Sequence, residues 1–187
     1  MPKITNIKAR QVFDSRGIPT IESEVYSDDG SKGSAIVPSG ASTGTHEVFE
    51  LRDIENKKYL GKSVLRAMEK VNGEISKSLI GLDVADQKKI DKILIDLDGT
   101  EQKKRLGANA ILSVSLASNK AAAVSKKIPL YKNLGNQKTL PVPLMNIING
   151  GAHANNSLRI QEFMIRPDKA RSFKEAINIC FLVIQKL

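Results

Sequence analysis

His153, Gln161 and Glu162 are the residues of this chain best placed to do chemistry. An apolar run from Leu140 to Ile148 ends in Asn149-Gly150-Gly151 and delivers His153. A second apolar run, through Ile165, carries Gln161 and Glu162 at its front edge. An imidazole, an amide and a carboxylate at strand ends stand where α/β enzymes keep their reacting groups. The paired glycines let the backbone turn sharply and bring the ring towards a pocket. A charge beside a buried strand is costly unless it is bonded or faces water, so Glu162 sits in a polar site or at an exposed strand end. An isolated histidine is also commonly structural or merely exposed.

A second candidate is Pro38-Ser39-Gly40-Ala41-Ser42-Thr43-Gly44-Thr45-His46-Glu47. A loop this rich in glycine and hydroxyls exposes backbone groups and can offer oxygens to a hard cation; by composition alone it is a linker. Gly61-Lys62-Ser63 imitates the end of a phosphate-binding loop, but the position five residues before Gly61 is Asn56 rather than glycine, so the motif is rejected.

The elements that must carry these groups change character along the chain. Ile4–Phe13 reads as a strand, Asp14–Gly17 as a turn, and residues 20–26 alternate cleanly, with Ile21, Ser23 and Val25 against Glu22, Glu24 and Tyr26. Asp28-Asp29-Gly30 marks a hairpin, and Ser34–Val37 completes a three-stranded meander. Val64, Leu65, Met68, Val71, Ile75 and Leu79 then recur at helical spacing. A further helix is expected from a cap at Asp83 through Ile90 and Leu94 to Asp98-Gly99. The small residues of 108–124 suit a helix packed closely on a neighbour. Residues 135–139 read as a linker. Beyond it, residues 143–149 and 161–165 lack alternation, as expected of strands buried on both faces. Ser172-Phe173-Lys174-Glu175 is a capping box that opens a helix apolar nearly all round. Such a helix wants partners on several sides.

Composition excludes several classes. With 41% apolar and 26% charged residues, the chain is globular rather than disordered. No apolar run reaches the ~18 residues of a membrane span, the amino terminus does not read as a secretory signal, and Cys180 is the only cysteine, which fits a reducing cytoplasm. The net charge of +9 comes entirely from the second half of the sequence. Aromatics are 4% and tryptophan is absent, which argues against nucleic acid as a partner because base stacking needs rings. A basic, non-catalytic interaction fragment, a non-functional truncated product and a solvated lysine-rich face remain the alternatives to an enzyme.

Taken together, the segments resemble the enolase (phosphopyruvate hydratase) family. The resemblance rests on Asp14-Ser15-Arg16-Gly17 with Pro19-Thr20, on Val37 through Gly44, and on Glu50-Leu51-Arg52-Asp53 with Tyr59-Leu60-Gly61-Lys62. It continues through Leu97-Asp98-Gly99-Thr100-Glu101 and Leu106-Gly107-Ala108-Asn109-Ala110 to the two apolar runs above. It is colinear and covers essentially the whole chain. It implies an α+β amino-terminal cap over residues 1–134 and, over 140–187, the first strands and helix of an incomplete α/β barrel. It implies a glycolytic lyase that dehydrates 2-phosphoglycerate to phosphoenolpyruvate with Mg²⁺, as a homodimer in the cytoplasm.

Carried over by position, Ser42 would ligate the second Mg²⁺ and meet the substrate. His153 would sit by the phosphate and leaving group, Glu162 would assist the departing hydroxyl, and Gln161 would contact the substrate end of the site. Arg10 and Glu22 match positions of the family's dimer contact. A complete barrel takes ~250 residues, whereas 49 follow Lys138. The family's base lysine, main Mg²⁺ carboxylates and phosphate-binding Arg and Ser have no counterpart here, so these residues alone are expected to be inactive. An apolar helix left uncovered should aggregate or need a partner.

Overall fold

A computed structural model describes residues 1–40, 44–136 and 138–187. Met1–Ser39 with Gly44–Asn136 form one compact unit; the described residues of the other are Gly40 and 138–187.

The first unit opens with β1 (Ile4–Phe13), β2 (Pro19–Ser27) and β3 (Lys32–Ile36), an antiparallel sheet in chain order. The β1–β2 turn is built by Asp14, whose Oδ1 accepts from the Arg16 and Ile18 amides at 2.8 and 2.9 Å. The period-2 pattern of β2 separates the two faces of the sheet. Ile21, Ser23 and Val25 are fully buried, and the Ser23 and Ser113 hydroxyls bond at 2.6 Å across the layer. Glu22, Glu24 and Tyr26 take the other face, where Arg10 bonds Glu22 at 2.6 Å and Glu24 at 3.0 Å. Lys32 pairs with Glu24 at 2.7 Å, and the Tyr26 hydroxyl donates to it at 2.7 Å.

Helices cover the apolar face. α1 (Leu65–Lys70), a π-helical turn (Val71–Ile75) and α2 (Ser76–Leu79) run on continuously. Val64, Ala67, Val71, Ile75 and Leu79 are all fully buried. The π-turn aims Asn72 at the edge of β1. Its amide accepts from Ala9 N at 2.7 Å and donates to Ala9 O at 3.1 Å, closing part of an open strand edge. α3 (Gln87–Asp98) is capped by Asp86, which accepts from Lys89 N at 3.2 Å, and not by the expected Asp83, which instead accepts from Ala85 N in the preceding turn. Both aspartates have cap-like spacing; the helix start decides between them.

α4 (Ala108–Ser125) lies directly on β3. A Cβ on Gly33 would stand 2.1 Å from Ala117 O and 2.3 Å from Ala121 N. Only glycine allows that approach, and this is why the helix is rich in alanine and serine. Asp98 orders the approach to α4 by accepting from Thr100 N at 3.0 Å and Leu106 N at 2.8 Å. Burial raises its carboxyl pKa, but these bonds and the Thr100 hydroxyl outweigh burial and leave it below the ordinary value. A short α5 (Leu130–Leu134) ends the unit.

Six basic residues of the second half of the sequence lie on either side of α4. Lys103, Lys104 and Arg105 precede it, and Lys126, Lys127 and Lys132 follow it, about 27 Å away at 1.5 Å per residue. Arg105 is engaged with Glu74 at 2.6 Å and with the last carbonyls of α3.

The second unit contains β4 (Met145–Asn149), β5 (Glu162–Ile165) and α6 (Phe173–Ile184). β4 and β5 pair antiparallel with a bulge between Asn146 and Ile148. The expectation of strands buried on both faces is corrected: Ile148, Phe163 and Met164 are exposed, because a two-stranded pair has too few layers to cover both sides. α6 starts at the expected cap. Ser172 Oγ accepts from Glu175 N at 3.1 Å, while the Glu175 carboxylate accepts from Arg171 N at 2.8 Å, one residue earlier than in a standard capping box. Ala176 and Cys180 form its buried stripe.

Candidate active site

The second unit brings His153, Gln161 and Glu162 together. Asn149, the last residue of β4, pairs with Glu162, the first of β5. The chain then turns back through Gly150-Gly151: Gly150 N donates to Gln161 O at 3.0 Å and Gly151 N to Leu158 O at 2.7 Å. A Cβ on Gly150 would lie 2.4 Å from Ile160 O, and Gly151 takes φ +53°. Both positions therefore require glycine for the turn to press against residues 158–161. A single helical turn, Gly151–His153, then points the ring at the start of β5.

The Gln161 amide stands against His153 Nε2. A carboxylate oxygen accepts, so His153 Nδ1 carries a proton and donates it to Glu162 Oε1 at 2.9 Å. The imidazole and carboxylate side chains are 25% and 29% exposed. They are thus shielded enough to hold a fixed geometry and open enough to meet a solute. Such a pair can hold a proton at one nitrogen and release or accept one at the other. A cavity of about 350 Å³ between residues 138–143 and 167–176 is lined by none of the three.

Ser42 lies outside the described residues. A Mg²⁺ ion takes near-octahedral oxygen ligands, usually with one or more carboxylates. Among the described residues no three His, Cys, Asp or Glu side chains converge. The cluster offers one carboxylate, already bonded to His153. These residues do not form a Mg²⁺ site by themselves. Arg10 and Glu22 are in the first unit and bond each other within the chain.

The structure also reveals a polar cluster to which sequence reasoning attached no role. Arg52, Glu50, Ser39 and Arg16 converge at the point where the chain reaches Gly40. The acid and base at i and i+2 in Glu50-Leu51-Arg52 were the available signal, since that spacing puts both on one side of an extended segment.

An α+β cap followed by the opening of an α/β barrel is the class of protein that this fold defines. The chain belongs to the enolase family: the model described as "Enolase, N-terminal domain" matches residues 4–134, and "Enolase, C-terminal TIM barrel domain" matches residues 137–187. Among curated relatives, the enolase of Pelagibacter ubique (strain HTCC1062) is 67% identical over 189 aligned positions, covering 100% of this chain and 45% of that protein. The chain thus spans a little under half the length of that relative.

Proposed function

We propose that these residues supply the cap and the first strands of a glycolytic hydro-lyase that interconverts 2-phosphoglycerate and phosphoenolpyruvate, with Mg²⁺ as cofactor of the complete enzyme. The observation that carries this reading is the His153–Glu162 bond of 2.9 Å, held at strand ends by a double glycine, in a chain of this family. In this reading Glu162 assists departure of the substrate hydroxyl. His153 stands by the phosphate and leaving group, where Glu162 fixes its tautomer, and Gln161 contacts the substrate end. Ser42 adds its hydroxyl to the metal and substrate contacts. Arg10 and Glu22 lie at a homodimer contact, and the enzyme works in the cytoplasm, which the lone Cys180 supports. The basic-fragment alternative is not favoured, because Arg105 and Lys120, two of the basic residues beside and within α4, are taken up by Glu74 and by the Ser34 carbonyl.

The test is a coupled assay with 2-phosphoglycerate and Mg²⁺. Residues 1–187 alone are expected to give no turnover, and turnover at a normal enolase rate would refute that expectation. In the full-length protein, Glu162→Gln and His153→Ala are each expected to lower kcat by about 10²–10⁴-fold. Rates within a few-fold of the parent would remove both residues from the site.

A further inference from the structure

We propose that Asn156 is a positioning residue for the His153–Glu162 pair, its side-chain amide closing the turn that carries His153 onto the end of β4. The inference rests on the reading above that His153 and Glu162 serve the active site.

The Asn156 amide is bonded at both of its atoms. Nδ2 donates to Asn149 O at 3.0 Å, and Oδ1 accepts from Leu158 N at 3.0 Å. Leu158 O accepts in turn from Gly151 N at 2.7 Å. One side chain thus joins the last residue of β4, the double-glycine turn and the stretch against which that turn packs. His153 lies inside the loop that the Asn156–Asn149 bond closes, and its own amide donates to Gly150 O at 3.0 Å. The anchor at Asn149 is built by the bulge in β4. The register skips Ile147, so Asn146 stands opposite Met164 and Asn149 opposite Glu162. Met164 and Glu162 are two apart on β5 and share a side of the strand, and therefore Asn146 and Asn149 share a side as well. Without the bulge, residues three apart would point to opposite sides. Asn146 Nδ2 accordingly donates to Asn149 Oδ1. Three asparagines run in series from the bulge to the stretch that precedes Glu162.

This anchoring buries little apolar surface. Asn156 is exposed, and Leu158 and Ile160 beyond it are 42% and 56% exposed. What the amide fixes is the course of residues 150–158, and that course sets where the ring stands against Glu162. If the Asn149 bond is lost, Gly150 N–Gln161 O and Gly151 N–Leu158 O still hold the base of the turn. Among the described residues, 152–157 would then keep only local turns and the contacts of the His153 ring itself. Aspartate cannot replace asparagine here. It has the same shape, but an ionised carboxylate only accepts, so it offers nothing to the Asn149 carbonyl and sets a negative charge against it.

The experiment uses the full-length protein with Asn156→Asp, His153→Ala and the double variant. It measures backbone amide exchange of peptides covering 150–158, hydrogen exchange at C2 of the His153 ring by mass spectrometry, and kcat and KM for 2-phosphoglycerate. Asn156→Asp is expected to speed amide exchange in 150–158 by about tenfold while α3 and α4 keep their protection, and to speed exchange at the His153 ring. It is expected to lower kcat by about 10–100-fold, with KM changed less than about threefold. Added to His153→Ala it should cost no further activity, since both act through one group. Unchanged exchange in 150–158, or fully additive losses in the double variant, overturns the proposal. Full activity of His153→Ala would instead defeat the functional reading, and the exchange data would still decide whether Asn156 holds the turn. Should Asn156→Asp not fold, Asn156→Ala removes the amide without adding a charge and carries the same test.

Discussion

The two units are made from similar apolar residues and bury them to very different extents. In the first, Ile21, Val64, Ile75, Leu79, Ile90 and Leu94 have no exposed surface. In the second, Phe163, Met164, Phe181 and Leu182 keep 37–56% of theirs. The difference lies in layers rather than in composition. A three-stranded sheet under α1–α4 has one apolar face and one cover for it. A two-stranded pair and one helix have more apolar faces than covers. The two polar clusters divide in the same way. The Arg52 network sits on the closed unit, where four stretches of chain already stand fixed. The His153–Glu162 pair sits on the open one and depends on the local turn at Gly150-Gly151.

The sharpest way to break this comparison is to truncate one large apolar residue in each unit. Leu94→Ala leaves a cavity in a closed core and is expected to cost about 3 kcal/mol in urea unfolding followed by circular dichroism. A loss below about 1 kcal/mol would mean that the first unit is not well packed.

A smaller effect concerns pH. Hydrogen bonds from Lys32 and Tyr26, then the charge of Arg10, hold the Glu24 carboxyl down from 4.5 to about 2. Because the folded value is depressed, its stabilisation is fully present above about pH 4.5 and fades as pH falls towards about 2. The parent should therefore lose stability more steeply than Glu24→Gln across that window, and parallel curves would remove the effect.

The smallest effect is expected at Phe181→Ala, below about 1 kcal/mol, because the ring is already 56% exposed. Its stronger consequence is reduced self-association, read by sedimentation. A stability loss matching that of Leu94→Ala would erase the contrast between the units.

Local pattern revealed much of the first unit. Alternation in β2 sorted Ile21, Ser23 and Val25 from Glu22, Glu24 and Tyr26. The small residues of α4 announced a close approach, which Gly33 then explains. The boundaries of α4 and the Ser172 cap of α6 were legible for the same reason: caps and periodicity act over a few residues. The choice between Asp83 and Asp86 was not legible, since both satisfy the same spacing. Nor was the exposure of Phe163 and Met164, because an unalternating apolar run says what a strand would bury and not whether a layer exists to bury it. At the candidate site, the double glycine and the acid at the front of the next run were visible, but the bond that orients the ring was not.

Residue order alone determined which face of β2 is apolar, where turns form, and that an imidazole and a carboxylate stand at strand ends, because these follow from short-range sterics and periods of 2 and 3.6 residues. Tertiary structure decided that Asn72 would seal the edge of β1, that Glu162 would hold the proton of His153 on Nδ1, and that Arg52 would join Pro19, Ser39, Glu50 and Lys62. Those contacts join groups up to 63 residues apart, and only the packed chain brings them within the roughly 3 Å over which a hydrogen bond acts.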